Sequence, residues 1–388
     1  MILSELEFVI PKGVKFDRVK TDTLKPFSDD IFEFLEELSK ELLGQKEHSE
    51  LISLGFWLRK AHIKKISQDF LSRYGYVLPR GVVFHIAPSN VDTIFVYSFV
   101  LSMMCGNVNI LRIGQKTSVQ ILTLLGIIQK ISQNYKAIQN SLYIARYGYD
   151  DKITSYFSSL CDVRIVWGGD DTIDTIRQIP IKSTAIELTF ADKFSFAVLN
   201  LEKIELNNLF FEKLYRDCFT FMQQACSSVR AICFLPVSRS KKEEFWKKFE
   251  EYVDKRDIAY EQKEGIDRFT ASVSMAIEKN IKVKSQKLFY KIELISLRDI
   301  DRKKHCGLGV FYDIDIENIE ELLGFSTKKE QTLVVAGIEK KELIRAIKSV
   351  NPVGFDRYVR VGEAMNFSSV WDGFDILVSL SRIIDVDI

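Results

Sequence analysis

The cysteine at position 226 lies in the part of the chain best suited to covalent chemistry. A helix-like run, 209–222, leads into a polar turn that carries Cys226, and a strand-like run, 229–235, follows at once. A thiol on such a turn can be reached by a substrate, and its thiolate is a nucleophile. Most cysteines pack instead as small buried hydrophobes. The other five, at positions 105, 161, 218, 233 and 306, lie in apolar runs or away from the polar motifs.

Two polar loops each follow a predicted strand and precede a predicted helix. Asn90 ends the first loop, 86–90, where its side-chain amide could donate to a developing oxyanion or could cap the next helix. The second loop, 112–117, carries Arg112, Gln115 and Lys116. Two cations at the carboxyl end of a strand suit a phosphate, although an ordinary solvated turn can have the same composition.

Two further strand ends carry glycines or a carboxylate. Gly168 and Gly169 join a strand to a helix, where paired glycines let the backbone approach a pyrophosphate. The two aspartates that follow could equally cap the helix. Glu187 is predicted to end the strand 184–188, where its carboxylate could act as a general base or lie as a surface charge.

Strands and helices alternate regularly between residues 81 and 188. The predicted strands are 81–86, 108–112, 141–145, 163–167 and 184–188, and the predicted helices are 91–105, 118–132, 151–159 and 171–177. This alternation predicts a doubly wound α/β fold with a parallel sheet, which binds nucleotides at the carboxyl ends of its strands. Residues 28–71 are predicted to be mostly amphipathic helix.

The chain is expected to have two domains and a C-terminal segment. Its 388 residues are 46% hydrophobic, enough for a large core. We expect helices and a dinucleotide-binding domain over 1–198 and a domain with Cys226 over 199–345. Residues 346–388 are expected to pack back onto the body. Within them, 366–375 is rich in aromatic residues, which predicts either the border of a channel or an interface, or plain core.

Composition excludes several classes of protein. The formal net charge of +1 provides no field that would attract nucleic acid or an acidic membrane. The longest apolar run, 93–105, is too short to span a bilayer. Four scattered histidines show no metal-ligand spacing, so no metal is expected. Cysteines without close CxxC pairs and a start that does not resemble a signal peptide predict a cytoplasmic location.

Taken in order, these motifs resemble those of the aldehyde dehydrogenase superfamily. Its Pro-Trp-Asn is similar to residues 88–90, its Lys-Pro-Ser-Glu-x-Thr to 112–117, and its Gln-x-Cys to 224–226. Closer still are the LuxC-like acyl-CoA reductases of bacterial luminescence. The strings QQACSS (223–228), VWGGDD (166–171) and FSSVWDGFD (367–375) resemble their signatures. The resemblance runs from about residue 81 to residue 382.

The resemblance implies a fold, a reaction and roles for the residues singled out above. It implies two doubly wound α/β lobes, one for the cofactor and one for Cys226, with the active site between them. The reaction would be the NADPH-dependent reduction of a fatty acyl-CoA to the aldehyde through an acyl-enzyme on Cys226. Asn90 would stabilise the oxyanion. Glu187 would stand in register with the superfamily's general base, although the Gly-Gly that normally follows is replaced.

The preference for NADPH also follows from the resemblance. Gln115 stands where NAD-preferring members have a glutamate that binds the adenosine ribose, and an amide does not repel a 2′-phosphate. Arg112 replaces a lysine and can bind phosphate oxygens through two N–H groups. Lys116 adds charge nearby, and Gly168 and Gly169 correspond to the superfamily's Gly-Ser turn.

Partners and alternative functions stay open in the sequence. The acyl group could arrive on coenzyme A or on a protein, an acyl-protein synthetase is a possible partner, and a homo-oligomer is possible. One alternative function is an acyltransferase or thioesterase that uses the same cysteine without cofactor turnover. Another is a non-catalytic scaffold for an acyl-protein synthetase.

Overall fold

The computed structural model describes residues 6–12, 19–87, 94–115, 118–256, 258, 260–279 and 281–387. Its helices are α1 (Asp29–Leu43), α2 (Ser49–Trp57), α3 (Lys60–Tyr74), α4 (Ile94–Met104), α5 (Val119–Ser132), α6 (Lys136–Gln139), α7 (Asp151–Leu160), α8 (Asp170–Arg177), α9 (Asn208–Phe219), α10 (Arg239–Val253), α11 (Gln262–Lys279), α12 (Ile319–Phe325), α13 (Lys340–Val350) and α14 (Ile376–Ser379).

The strands of the described residues are distributed over four sheets. They are β1 (Glu7–Ile10), β2 (Val77–Pro79), β3 (Val82–Ile86), β4 (Val108–Ile113), β5 (Leu142–Arg146), β6 (Val163–Trp167), β7 (Ile186–Phe190), β8 (Phe194–Leu199), β9 (Val229–Phe234), β10 (Lys282–Ser285), β11 (Tyr290–Leu294), β12 (Val310–Asp315), β13 (Glu330–Ala336), β14 (Arg357–Arg360), β15 (Val370–Trp371), β16 (Phe374–Asp375) and β17 (Ser381–Ile383).

The chain divides into two compact units, the first of which comprises residues 1–191 and 367–388. Its main sheet has the strand order β1-β5-β4-β3-β6-β7. Only β1 pairs antiparallel, and the remaining neighbours are parallel. The order of the parallel strands reverses at β3, which is the topology of dinucleotide-binding sheets, where ligands bind beyond the carboxyl ends beside the switch point. The predicted doubly wound α/β fold is confirmed.

Apolar side chains cover both faces of this first sheet. Helices α1 through α5 and the C-terminal residues 367–380 pack in one cluster on one face. Helices α7 and α8 pack in a second cluster on the other face. The central strands β3 and β6 are buried throughout, because a parallel sheet covered on both faces has no solvated side. The short strands β2 and β17 form a separate antiparallel pair.

The second unit comprises residues 192–366 and is built on a seven-stranded sheet. Its order is β10-β11-β12-β9-β8-β13-β14, with an antiparallel edge at β10 and parallel pairing elsewhere. Helices α9 and α10 cover one face with a dense group of phenylalanines. Helices α11, α12 and α13 contribute to the core on the other face.

The boundaries of the compact units differ from those predicted at residues 198/199 and 345/346. Strand β8 begins at Phe194 and lies between β9 and β13 in the second sheet, so residues 192–198 belong to the second unit. At the other end, β14 pairs with β13 and therefore also belongs there. Only the residues from Phe367 onward return to the first unit. Among the described residues, no helix is long and apolar enough to cross a membrane.

The aromatic residues near the C-terminus form part of the core of the first unit. Phe367 stacks on Tyr97 with ring centroids 4.5 Å apart and on Trp371 at 4.6 Å. The indole N–H of Trp57 donates to the carbonyl oxygen of Phe367 at 3.0 Å. Phe367 and Trp371 are buried, whereas Phe374 is 39% exposed. Of the two interpretations that the sequence left open for this segment, core packing is the one that the structure supports.

The burial of Trp371 predicts a large loss of stability when its ring is removed. We expect Trp371→Ala to lower the free energy of unfolding by about 3–5 kcal/mol, because the cavity cannot close fully. Urea denaturation followed by circular dichroism measures this. Phe374→Ala is the matched control and should cost less than half as much, since its ring is already partly in water. A shift in acyl chain-length preference by Trp371→Ala at unchanged stability would contradict the assignment to the core.

Candidate functional site

The turn that carries Cys226 has an unusual backbone. Helix α9 ends at Phe219, three residues before the predicted end, because the chain then turns left-handed. Phe221, Met222 and Gln223 have φ angles of 56°, 51° and 63°. Residues other than glycine rarely adopt these φ angles. Each such residue destabilises the folded state by about 1–3 kcal/mol and persists only where the surrounding structure holds it in place. The predicted extension of the helix to Met222 was therefore wrong.

The side chain of Gln223 holds this strained turn in place. It is fully buried, and its Nε2 donates to the carbonyl oxygens of Val229 at 2.8 Å and Val310 at 3.0 Å. Its Oε1 accepts from the N–H of Gly309 at 2.9 Å. One amide thus links the turn before Cys226 to the starts of β9 and β12.

The segment 305–309, which precedes β12, lies directly against the same turn. Gln224 Nε2 donates to the carbonyl oxygen of Cys306 at 2.8 Å, and Leu308 N–H donates to that of Met222 at 3.1 Å. Gly307 has a φ of +72°, and a Cβ there would come within 2.6 Å of Gln224 Nε2. The close approach therefore requires glycine at this position.

Cys226 itself is partly exposed and sits at the amino end of β9. Ser195 Oγ donates to its carbonyl oxygen at 2.7 Å and accepts from the N–H of Thr332 at 3.1 Å, which ties the turn to β8 and β13. The backbone of Cys226 is thereby fixed while the residue keeps contact with solvent.

The other five thiols are held in the neutral form. Cys105, Cys161, Cys218 and Cys233 are fully buried. Burial raises the pKa of Cys105 to about 12, raises the pKa of Cys161 to about 11, and raises the pKa of Cys218 and Cys233 well above the ordinary range. Burial also raises the pKa of the half-buried Cys306 to about 11. None of these five thiols is appreciably ionised near neutral pH.

Arg230, the second residue of β9, is a cation beside this turn. Its Nε donates to the carbonyl oxygen of Gln223 at 3.3 Å, and its guanidinium lies 5.7 Å from the ring centroid of Phe194. Burial lowers the pKa of Arg230, and electrostatic interactions with Cys226, Asp192 and Cys306 oppose that shift. Neither Arg230 nor the 305–309 segment was predicted from the sequence to have a role. The Gly-Leu-Gly spacing at 307–309 was the only signal for a close backbone approach.

In the first unit, Arg112 lies near the carboxyl end of β4 and lines a cavity of about 200 Å³. Its Nη2 donates to the carbonyl oxygen of Gly148 at 3.0 Å, and its guanidinium carbon lies 5.3 and 5.4 Å from the ring centroids of Tyr147 and Tyr149. Its buried Nε has no hydrogen-bond partner among the described residues. The Gln115 amide lies about 3.3 Å from the place that a Cβ on Gly148 would take.

The same cavity also carries negative charge. Asp150, Asp151 and Asp171 line it, and Asp150 Oδ1 is committed to the backbone N–H groups of Lys152 and Ile153 at the start of α7. Of the other predicted residues, Asn90 and Lys116 lie outside the described part of the chain, so their roles stay predictions.

Gly168 and Gly169 lie between β6 and α8, beyond the carboxyl end of the strand next to the switch point. The N–H of Gly168 donates to the carbonyl oxygen of Phe190 at 3.2 Å, and Gly169 caps α8. Asp170 and Asp171 occupy the first helical turn, where carboxylates interact favourably with the helix dipole. Because Thr172, also in this turn, lines the Arg112 cavity, the structure brings Arg112 and the start of α8 together.

Glu187 does not lie at a strand end as predicted, because β7 extends over residues 186–190 and Glu187 is its second residue. Its Oε2 accepts from Arg164 Nη2 at 2.5 Å and its Oε1 accepts from Arg177 Nε at 3.0 Å. Two guanidinium groups thus occupy both oxygens of the Glu187 carboxylate. Ligand-binding residues of such sheets lie at the opposite, carboxyl end. We therefore assign Glu187 no chemical step.

Comparison with protein families identifies the chain. The model of the family described as acyl-CoA reductase (LuxC) matches residues 21–383. The chain belongs to the LuxC acyl-CoA reductase family. This confirms the resemblance and the enzyme class, an aldehyde-forming oxidoreductase that acts on an acyl substrate. A comparison with curated protein sequences found no match.

Solved structures of oxidoreductases, aldehyde dehydrogenases among them, share the fold of this LuxC family member. An oxidoreductase from Marinobacter aquaeolei is 11% identical, with 93% of this chain and 86% of that chain covered and a TM-score of 0.70. A salicylaldehyde dehydrogenase from Pseudomonas putida G7, complexed with salicylaldehyde, is 13% identical, with 92% and 85% covered and a TM-score of 0.69. The glyceraldehyde-3-phosphate dehydrogenase GapN from Methanocaldococcus jannaschii DSM 2661, complexed with NADP, is 13% identical, with 95% and 98% covered and a TM-score of 0.66. The predicted aldehyde-dehydrogenase-like fold is confirmed.

The ion pairs of Glu187 predict a structural effect when the carboxylate is neutralised. Glu187→Gln should leave turnover within about threefold of the unmodified protein. It should lower the free energy of unfolding by about 1–3 kcal/mol, because the buried Arg164 loses its counter-charge. Urea denaturation and steady-state kinetics measure the two effects. Glu202→Gln breaks the exposed pair with Lys241 and should cost less than about 1 kcal/mol. A selective loss of turnover at unchanged stability would restore Glu187 as a base.

Proposed function

We propose that this family member reduces a fatty acyl thioester to the aldehyde through a covalent acyl-enzyme on Cys226, with NADPH as the reductant. The observation that carries the proposal is the contrast between Cys226 and the other thiols. Cys226 lies on a turn with its backbone fixed and part of its surface in solvent, beside a guanidinium. Burial holds the other five thiols neutral.

The chemistry at Cys226 begins with the ionised thiol. Its Sγ forms a bond to the thioester carbonyl carbon, the carbon–sulfur bond to coenzyme A breaks, and coenzyme A leaves as a thiolate that takes up a proton. The bond from Ser195 Oγ to the carbonyl oxygen of Cys226 fixes the backbone on the carboxyl side of this residue. The backbone N–H of Cys226 and the amide of Asn90 are the predicted donors to the oxyanion; removing one such donor costs about 10²–10³ in turnover.

A nicotinamide cofactor, when bound, supplies the hydride that reduces the acyl carbon. The reduced carbon is then held on Cys226 as a thiohemiacetal. Its oxyanion re-forms the carbonyl, the carbon–sulfur bond breaks, and the aldehyde leaves with the Cys226 thiolate restored. This route consumes no water, so it needs no general base of the kind first predicted for Glu187.

Arg112 is the residue that supports the choice of NADPH. Its buried Nε lacks a partner among the described residues, and its guanidinium faces a cavity at the carboxyl side of the first sheet. Such a group can bind the oxygens of a 2′-phosphate. Gln115 lies beside the same loop without negative charge. The aspartates of the cavity act in the opposite direction, and Asp150 is partly neutralised by the N–H groups that it caps.

The remaining assignments complete the proposal. Gly168 and Gly169 are proposed to approach the pyrophosphate, and Lys116 to add charge near the adenosine end. Coenzyme A is the proposed acyl carrier, and an acylated protein would present the same thioester. An acyl-protein synthetase partner and a homo-oligomer stay predictions.

Replacement of Cys226 is the direct test of the nucleophile. Cys226→Ser should reduce acyl-CoA-dependent NADPH oxidation by at least about 10³-fold, because a serine at this position lacks a base to activate it. Incubation with radiolabelled acyl-CoA should label the unmodified protein and not the variant.

Cys161→Ser is the matched control, since it removes a buried thiol of the first unit and should retain both activity and label. Radiolabel on Cys306 or Cys218, together with normal turnover in Cys226→Ser, would show that the nucleophile lies elsewhere. Labelling of Cys226 without NADPH oxidation would indicate an acyltransferase or thioesterase.

Side-by-side titration with NADPH and NADH tests the cofactor. We expect tighter binding of NADPH. Arg112→Ala should weaken it roughly ten- to a hundredfold, since a charge-assisted hydrogen bond contributes about 1.5–3 kcal/mol and each 1.4 kcal/mol is a factor of ten. Gln115→Glu should also weaken NADPH binding, through repulsion. The affinity of Arg112→Ala for NADH is the internal control and should change far less. Equal affinity of the unmodified protein for both cofactors would refute the preference.

A further inference from the structure

The guanidinium of Arg230 is joined to the turn that carries the proposed nucleophile by direct contacts. Its Nε donates to the carbonyl oxygen of Gln223, three residues before Cys226. Gln223 is itself fixed by three hydrogen bonds of its side chain, so the acceptor of Arg230 cannot move independently. The ring of Phe194 packs against the guanidinium and restricts it further.

Arg230 forms no salt bridge among the described residues, whereas Lys242, Lys291 and Arg302 of the same unit do. Its guanidinium interacts electrostatically with Cys226 and, over a longer distance than a salt bridge, with the carboxylate of Asp192. Cys306 also interacts with it, but that thiol is neutral near pH 7 because burial raises its pKa to about 11. The guanidinium therefore interacts with Cys226 without being held by a salt bridge to a carboxylate.

We infer that Arg230 is a positioning residue whose guanidinium, anchored on Gln223 and Phe194, keeps the thiol of Cys226 ionised for attack on the thioester. A cation close to a thiol favours the thiolate, which is the reactive form. Burial strengthens the interaction, because water screens it less. The inference rests on the proposed role of Cys226 and adds the group that activates it.

The pH dependence of Cys226 alkylation tests this role without any substrate or cofactor. The rate of carboxamidomethylation of Cys226 by iodoacetamide is measured by peptide mass spectrometry between about pH 6 and pH 10. In Arg230→Gln, the pH of half-maximal rate should rise by about one unit or more. Arg230→Lys keeps the charge and should restore part of that shift. Arg239→Gln, which removes an exposed arginine of the same unit, is the matched control and should leave the profile unchanged.

The unmodified protein provides a second arm in case the variants do not fold. A guanidinium attracts anions, so iodoacetate should react with Cys226 faster, relative to iodoacetamide, than with the thiol of a peptide spanning residues 223–229. An unchanged pH profile in a folded Arg230→Gln protein overturns the inference, and so does an equal reagent ratio for protein and peptide. Failure of the proposed function is distinct, because it would appear as normal turnover in Cys226→Ser while the alkylation shift persists.

Discussion

The buried amide of Gln223 is the interaction on which the candidate site depends. Three successive residues with left-handed backbone would not persist in a short peptide, because each costs free energy that local contacts do not return. The Gln223 side chain bonds to the starts of β9 and β12 at once, and it satisfies its own polar atoms in doing so. The sheet thereby fixes the backbone of the turn. The fixed backbone determines how Cys226 is placed.

Burial favours the neutral form of five of the six thiols. Four of these thiols are fully buried, and the fifth, Cys306, is half-buried. In all five, the loss of hydration on burial outweighs any stabilisation of the thiolate by nearby cations, so the pKa is raised. Cys226 has solvent on one side and Arg230 close by. Cys306 interacts with the same guanidinium, but burial raises its pKa to about 11.

The first unit follows a simpler rule. A parallel sheet whose order reverses at β3 leaves a crevice beyond its carboxyl ends, and Gly168 and Gly169 follow the strand beside that reversal. Arg112 also lies near the carboxyl ends of the strands, on β4, which pairs with β3. Glu187 lies near the amino ends of the strands, and its carboxylate forms ion pairs with two arginines. Position along the strand therefore separates the residues suited to a cofactor from those that stabilise the sheet.

The sequence alone was sufficient for the alternation of strands and helices, the parallel α/β class and the family. Periodicity is local, and the strings around Cys226, Gly168 and Trp371 are contiguous, so both can be read from neighbouring residues. It also singled out Cys226, Arg112, Gln115 and the paired glycines, because each directly follows a strand or helix boundary. The helix before Cys226 was predicted three residues too long, since nothing in residues 220–222 signals a left-handed backbone.

Only the tertiary structure decided the rest, because the partners are distant in sequence. Gln223 meets residues 309 and 310, Ser195 meets Cys226, and Arg164 meets Glu187 across paired strands. Strand β7 starts two residues later than predicted, so Glu187 lies near the amino end of the strand and not near its carboxyl end. Side-chain packing likewise placed Trp371 in the core. Electrostatic and packing interactions depend on distance in space, and the order of residues along a chain does not determine that distance by itself.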